Sequence, residues 1–300
     1  MDTEPIVRKS LIYHTKVEKD PGAYAATPVV GCSHGCRFPC YAFLMMKKFG
    51  KIASYEAWCE PKLVTNALAL AEKELPKLRD KAKFIHFSYA TDPFMYEHPE
   101  VIELTLKLMA LINSYDIPVH ILTKGIILNE AFTLSKQNVF GITLVSLAPA
   151  FHAKYEPGTA PYPERIAALK RAHAKGFKTF VNIEPYPTPN IFQQSLLPIL
   201  EAVAFVDEIR LSQLNYNDII YQYRNWQAFY QKTGLFAKTW CLEHKISYSG
   251  IAEEGELVNT EIAKAETVKE EIEIVKTKIV KVGVAKEEID YSELPYSFKE

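Results

Sequence analysis

The strongest constraint in this chain is a repeated alternation, in which short apolar runs of strand length exchange with stretches of helical spacing from residue 28 to residue 232. The runs 28–31, 83–89, 119–123, 141–147, 178–184 and 208–211 read as strands, each bounded by turn residues. Between and after them, 41–49, 61–75, 100–113, 130–135, 163–175, 191–203 and 218–232 read as helices. In 61–75, for example, Leu63, Ala67, Leu70 and Ala71 share one face. Strands alternating with helices of this length predict a parallel sheet with right-handed crossovers. Six such units make a barrel-like α/β domain, whose functional residues belong at the carboxyl ends of its strands. A chain of 300 residues, 48% of them hydrophobic, can bury one large core of this kind.

The first strand runs into Gly31-Cys32-Ser33-His34-Gly35-Cys36-Arg37-Phe38-Pro39-Cys40-Tyr41, which gathers three of the five cysteines within nine residues. Close thiols, with glycines that let the backbone wrap a bound object, suggest a metal site. An iron–sulfur cubane takes one thiolate per held iron, so this loop can reach three corners and leave the fourth iron open for chemistry. Zinc with His34 as fourth ligand is the competing reading. Zinc knuckles, however, usually pair two short spacings from separate stretches, and His34 would crowd the ion. Buried free thiols fit less well, because Ser, His, Gly, Arg and Pro form no apolar stripe. A disulfide framework fails for a long chain with few cysteines and no signal-peptide pattern, which reads as reduced and cytoplasmic. No apolar run reaches the length of a membrane span. A formal net charge of −1 offers no global attraction to nucleic acid or an anionic membrane, so a nucleic-acid partner would need a local basic groove.

The loop resembles the cluster motif of radical SAM enzymes. Its setting, Gly-Cys-Ser-His-Gly-Cys-Arg followed by Cys-Tyr-Ala, is similar to the branch of spore photoproduct lyase and the DNA repair photolyases. The family has two residues between the second and third cysteines, whereas Arg37, Phe38 and Pro39 intervene here, a bulge that bears on cluster geometry. The resemblance implies a partial (β/α)6 TIM-type barrel, with a lead-in over 1–26, a core over 27–233 and an extension over 234–300. It implies a [4Fe-4S] cluster on Cys32, Cys36 and Cys40, with S-adenosyl-L-methionine (SAM) chelated to the open iron. An electron donor such as flavodoxin or ferredoxin would then drive reductive cleavage of SAM to a 5′-deoxyadenosyl radical, which abstracts hydrogen from a substrate. The other function class is a noncatalytic cluster protein, a sensor or an assembly module.

Strand ends supply the remaining candidates. The second strand closes in Ser88-Tyr89-Ala90-Thr91-Asp92-Pro93, similar to a Thr-Asp-Pro signature of the branch. Thr91 and Asp92 carry groups apt for the polar end of an amino acid, and an ordinary Asp-Pro turn is the plain alternative. Lys124, after Thr123, is either a snorkelling surface cation or a partner for the SAM carboxylate. Ser146 is a candidate for the ribose or carboxylate. Tyr155-Glu156-Pro157-Gly158 and Pro163-Glu164-Arg165 resemble a family loop leading into a helix, and Glu156 and Arg165 are expected either to brace that loop near SAM or to form a structural salt bridge. Glu184 closes the fifth strand as a carboxylate to orient SAM, with Asn182 supporting it from inside the barrel, and Arg210, Ser212, Gln213, Asn215, Tyr216 and Asn217 would line the mouth on the substrate side. Tyr41, next to the third cysteine, is the candidate catalytic residue, packed on cluster or SAM.

A thymine-dimer lyase of this branch would carry a hydrogen-donating cysteine near the second strand end, where Ser88, Tyr89 and Ala90 stand instead, so dimer repair is not the leading reading. Cys59 and Cys241 each adjoin a tryptophan and read as small buried hydrophobes. The aromatic stretch from Tyr216 to Tyr230 has helical spacing and reads as core packing rather than base stacking. Residues 253–273 are acidic and helix-prone, and 274–284 set β-branched residues between lysines, with no evident chemistry.

Overall fold

The computed structural model describes residues 6–252 except 16–19, 39, 88 and 216. The expectations for 253–284, and those involving Pro39, Ser88 and Tyr216, lie outside the described residues. In chain order the strands are β1 (Ile12–His14), β2 (Ala23–Ala26), β3 (Val29–Val30), β4 (Lys62–Leu63), β5 (Phe84–Phe87), β6 (Val119–Thr123), β7 (Val139–Thr143), β8 (Lys178–Tyr186), β9 (Glu208–Gln213) and β10 (Ser247–Gly250). The helices are α1 (Tyr41–Lys48), α2 (Tyr55–Trp58), α3 (Ala67–Glu74), α4 (Pro99–Asn113), α5 (Pro149–Tyr155), α6 (Tyr162–Ala174), α7 (Leu197–Ala202) and α8 (Trp226–Glu243).

One sheet runs β1-β2-β5-β6-β7-β8-β9-β10, and every neighbouring pair after the antiparallel β1–β2 pair is parallel. The sheet keeps two edges, β1 and β10, and is a partial TIM-type barrel. Central strands such as β7, buried at all five positions, explain why these runs read as continuous apolar blocks rather than alternating ones. Outside the barrel, α4 buries Val101, Thr105, Leu108, Met109 and Ile112, a stripe at helical spacing.

Several expected elements shift. The first barrel strand is β2, inside the lead-in. The run at 28–31 instead forms β3, which pairs antiparallel with β4 in a separate ribbon and so holds the cysteine loop from both ends. The expected helix 61–75 therefore starts only at Ala67, because Lys62 and Leu63 are claimed by that ribbon. β7 starts and stops earlier than expected. The added helix α5 opens on Pro149, whose fixed φ suits a first helical turn. α8 runs unbroken through position 234, and β10 adds a seventh parallel strand beside β9. Among the described residues no helix is long and apolar enough to cross a membrane.

Candidate functional site

The cysteine loop is built by its neighbours. Gly31 has φ +89°, and a Cβ there would lie 2.6 Å from the Trp58 carbonyl oxygen, so only glycine fits. The Cys32 N–H donates to that same oxygen at 2.8 Å. The Thr91 hydroxyl donates to the Gly31 carbonyl at 2.6 Å, and the Tyr55 hydroxyl to the Cys36 carbonyl at 2.9 Å. From the α5–α6 loop, the Gly158 N–H donates to the His34 carbonyl at 3.1 Å; a side chain at 158 would strike the Ser33 carbonyl at 2.5 Å. Between Cys36 and Cys40, Phe38 is buried with its ring centroid 4.9 Å from Tyr155 and 5.1 Å from Phe151. Its carbonyl accepts from Asn217 Nδ2 at 3.0 Å, and the Arg37 N–H donates to the Tyr155 carbonyl at 2.8 Å. Phe38 thus plugs the site's flank as a buried aromatic between Tyr155 and Phe151.

Asp92 ties the strand ends together. Its Oδ1 accepts the Phe94 N–H at 3.0 Å and the Thr123 hydroxyl at 2.6 Å, and its Oδ2 accepts the Lys124 N–H at 2.8 Å. Both oxygens are thereby engaged by protein donors, which casts Asp92 as a brace rather than the receptor for an ammonium group. His34 is equally committed. Its Nε2 accepts the Tyr96 N–H at 2.9 Å, which leaves the proton on Nδ1, 3.4 Å from Asp92 Oδ2. Burial lowers its pKa to about 4, so the ring is neutral at pH 7. With both nitrogens occupied, His34 has no lone pair left for zinc.

A buried charge relay lies behind the loop. Lys124 Nζ sits 2.6 Å from Glu156 Oε1 and 3.5 Å from Cys36 Sγ. Arg165 brings Nη1 and Nη2 to 3.3 Å from Glu156 Oε2, and its Nε and Nη1 also donate to the Ala160 and Thr143 carbonyls at 2.7 and 2.9 Å. Glu156 and Arg165 are both fully buried. Burial would raise the Glu156 pKa, but Lys124 and Arg165 outweigh it and hold the carboxyl at about 2. Burial works against the Lys124 charge as well; Cys36 and Glu156 outweigh it and raise the pKa above its ordinary value.

These groups surround a cavity of about 600 Å³ at the carboxyl ends of the strands, within the range of small-molecule sites. Cys32, Cys36, Cys40 and Tyr41 line one wall; Thr91, Asp92, Lys124 and Glu184 line others. Ser146 does not line it. Because β7 ends at Thr143, residue 146 already lies in the turn below, fully buried, with its Oγ accepting the Ala148 N–H at 3.1 Å. Thr143 takes its place on the wall. Asn182 Nδ2 donates to Glu184 Oε2 at 3.2 Å. Deeper in the barrel, His86 lines the cavity at 2% exposure, stacked on Tyr89 at 4.2 Å, and among the described residues neither ring nitrogen has a hydrogen-bond partner. Sequence reasoning missed it, although a lone polar residue in Phe84-Ile85-His86-Phe87 was the available signal. Arg210 faces the same space with its guanidinium paired to Glu208 at 2.8 and 3.2 Å.

The donor set suits an iron–sulfur cluster. Three thiols face one cavity, the His34 imidazole and Asp92 carboxylate beside them are hydrogen-bonded within the protein, and soft thiolates favour iron–sulfur over hard sites. Among the described residues no three His, Cys, Asp or Glu side chains converge on the point a single ion would need. A cubane instead spreads its thiolates over separate corners. Burial raises the pKa of Cys32, with Asp92 and the two neighbouring cysteines adding to it, and pushes Cys36 up to about 12. Such thiols stay protonated until a metal displaces the proton.

A parallel barrel open at its edges, with a three-cysteine loop at the carboxyl end, defines a class, and the sequence profile of the Radical SAM superfamily matches residues 27–196. The chain belongs to the radical SAM superfamily. It is similar to the uncharacterized protein ORF301 of Acidianus two-tailed virus, 23% identical over 189 residues, or 60% of this chain and 61% of the viral protein. It thus spans about three fifths of that relative's length. Spore photoproduct lyase complexed with dinucleoside spore photoproduct superposes with a TM-score of 0.53 at 16% identity, over 76% of this chain and 68% of the lyase. SuiB of Streptococcus suis, bound to S-adenosylmethionine, gives 0.51 at 13% identity over 77% of this chain and 50% of SuiB. At these identities the likeness establishes the fold.

Proposed function

We propose that Cys32, Cys36 and Cys40 hold a [4Fe-4S] cluster, that SAM binds beside it in the same cavity, and that the protein performs reductive radical chemistry on a substrate admitted through the cavity mouth. The observation that carries this reading is the set of three thiols from one loop facing a cavity with the Lys124 cation beside Cys36. When bound, the cluster and SAM would together supply one-electron cleavage of the sulfonium and a 5′-deoxyadenosyl radical able to take hydrogen from carbon.

The chain's own residues bind and orient. Lys124, kept charged by Glu156, offers ammonium protons to the carboxylate of an amino acid. Thr91 and Asp92 hold the loop and strand ends in register, so their part is geometric. Glu184, oriented by Asn182, offers an acceptor for ribose-type hydroxyls. Tyr41, 47% exposed at the start of α1, lines the cavity beside the third cysteine, where its ring can pack on what the cavity holds. Tyr89, stacked on His86, makes the wall beside the second strand end aromatic rather than a thiol hydrogen donor, which favours a substrate other than a pyrimidine dimer.

The test is anaerobic reconstitution followed by assay of iron, acid-labile sulfide and, after dithionite and SAM, 5′-deoxyadenosine. We expect about four irons per chain, lost together in C32A, C36A and C40A variants, and formation of 5′-deoxyadenosine. Iron and sulfide without 5′-deoxyadenosine would mean a noncatalytic cluster protein. A colourless protein that takes up only zinc would overturn the reading.

A further inference from the structure

Among the described residues that line the cavity, His86 is the one whose buried side-chain polar atoms have no hydrogen-bond partner. Buried polar groups are as a rule satisfied, so two orphaned ring nitrogens on a cavity wall mark a place for a partner that enters with the substrate. The ring itself is fixed, since it lies in β5 between the buried Ile85 and Phe87 and stacks on Tyr89. Burial, with His120 and Arg210 adding to it, lowers its pKa to about 3, so at pH 7 it offers one N–H donor and one bare acceptor. Burial is the largest cause, and it disfavours a charge of either sign at that spot.

The cations of the cavity are already matched. Arg210 gives its Nε and Nη2 to Glu208 at 2.8 and 3.2 Å, the Ser249 hydroxyl donates to the same carboxylate at 3.4 Å, and Lys124 lies 2.6 Å from Glu156. Two carboxylates on the walls, Asp92 and Glu184, are held by neutral donors instead. A phosphate or carboxylate on the substrate would therefore find its cations taken and two like charges nearby, which works against anions. What this half of the cavity offers is neutral: the His86 imidazole, the Ser212 hydroxyl and the amides of Gln213 and Asn215.

We propose that His86 anchors a subsite for an uncharged, hydroxyl-bearing substrate of the sugar or polyol class. The inference rests on the reading of the cavity as the place where the substrate is admitted. A hydroxyl both donates and accepts, so it pairs with either ring nitrogen in either tautomer, and a row of hydroxyls matches the mixed donors and acceptors of serine, glutamine and asparagine. A phosphate or carboxylate only accepts, and an ammonium only donates.

The experiment uses the full-length reconstituted protein with SAM present and its histidines labelled with nitrogen-15. The His86 ring signals are identified by their absence from H86F. The probes are glucose and myo-inositol, their phosphate monoesters, and glucosamine as a cation of the same shape. At least one uncharged probe should shift the His86 signals saturably, with its phosphate ester and glucosamine bound about tenfold or more weakly; this comparison is made on the wild type and needs no variant. H86F should weaken the uncharged probe by about tenfold while iron content is unchanged, and H86Q, which keeps a donor and an acceptor, should restore part of the affinity. Silence of the His86 signals toward both uncharged probes, as when solvent alone fills the pocket, would overturn the inference. So would a phosphate ester or glucosamine that binds as tightly as its neutral counterpart, or full affinity in H86F. A wild-type protein without iron and sulfide would instead sink the cluster reading, and the histidine signals, which need no cluster, would still judge the subsite.

Discussion

Glu156 offers the sharpest test of how the site is held. It is fully buried between Lys124 at 2.6 Å and Arg165 at 3.3 Å, and Arg165 is itself fully buried. Replacing it in E156Q keeps the shape but leaves the Arg165 charge without its counterion. Breaking a buried pair from one side costs about 3–5 kcal/mol. The same size follows independently from protonation. The carboxyl is held down from 4.5 to about 2, which by linkage corresponds to roughly 3 kcal/mol at neutral pH. Because the folded pKa is the lower one, this stability is complete above about pH 4.5 and is lost as pH falls toward 2. For a barrel of this size the expected loss lowers Tm by about 6–20 °C at pH 7. Urea denaturation of wild type and E156Q at a series of pH values measures both effects. The two curves should converge as the pH approaches the folded pKa. A deficit below about 1 kcal/mol at pH 7, or one that does not shrink with acid, would refute the argument.

Other perturbations probe the loop and the cavity. G31A forces a side chain into a left-handed position against the Trp58 carbonyl; it should cost about 1–3 kcal/mol in denaturant titration and lower the iron retained after reconstitution. Phe38→Ala removes the plug between Phe151 and Tyr155; it should cost about 3–5 kcal/mol and quicken iron loss to a chelator, with Phe38→Leu intermediate. H86F exchanges a buried imidazole without hydrogen bonds for a ring of similar shape. Its Tm should be unchanged or higher, and a loss above about 2 kcal/mol would show that the imidazole is bonded within the protein after all.

Much of the architecture was legible because strand burial on both faces leaves an unmistakable mark. Val119–Thr123 and Lys178–Glu184 were readable as apolar blocks between helical stretches. The errors fall where one local pattern serves two structures. Pro28 to Gly31 looks like a barrel strand, yet pairing with Lys62 and Leu63 decides that it belongs to a ribbon. Ala23–Ala26, three alanines and Tyr24 with no strong period, gave no sign of being the first parallel strand. Ser146 was placed at a strand end that in fact comes three residues earlier.

What the sequence determined by itself is the chemistry: three closely spaced thiols, the residues that follow each strand, and an order of elements that brings strand ends to one rim. Spacing along a chain suffices for this, since neighbouring residues on a short loop cannot be far apart. Only the tertiary structure decided which of these groups are free to act. Asp92 and His34 look like ligands in the sequence, yet donors from Thr123, Lys124, Phe94 and Tyr96 occupy them. His86, silent in the sequence, lines the cavity with both ring nitrogens buried and, among the described residues, without a hydrogen bond. Whether a buried polar atom is satisfied depends on partners far away in the chain, and that information exists only once the chain has folded.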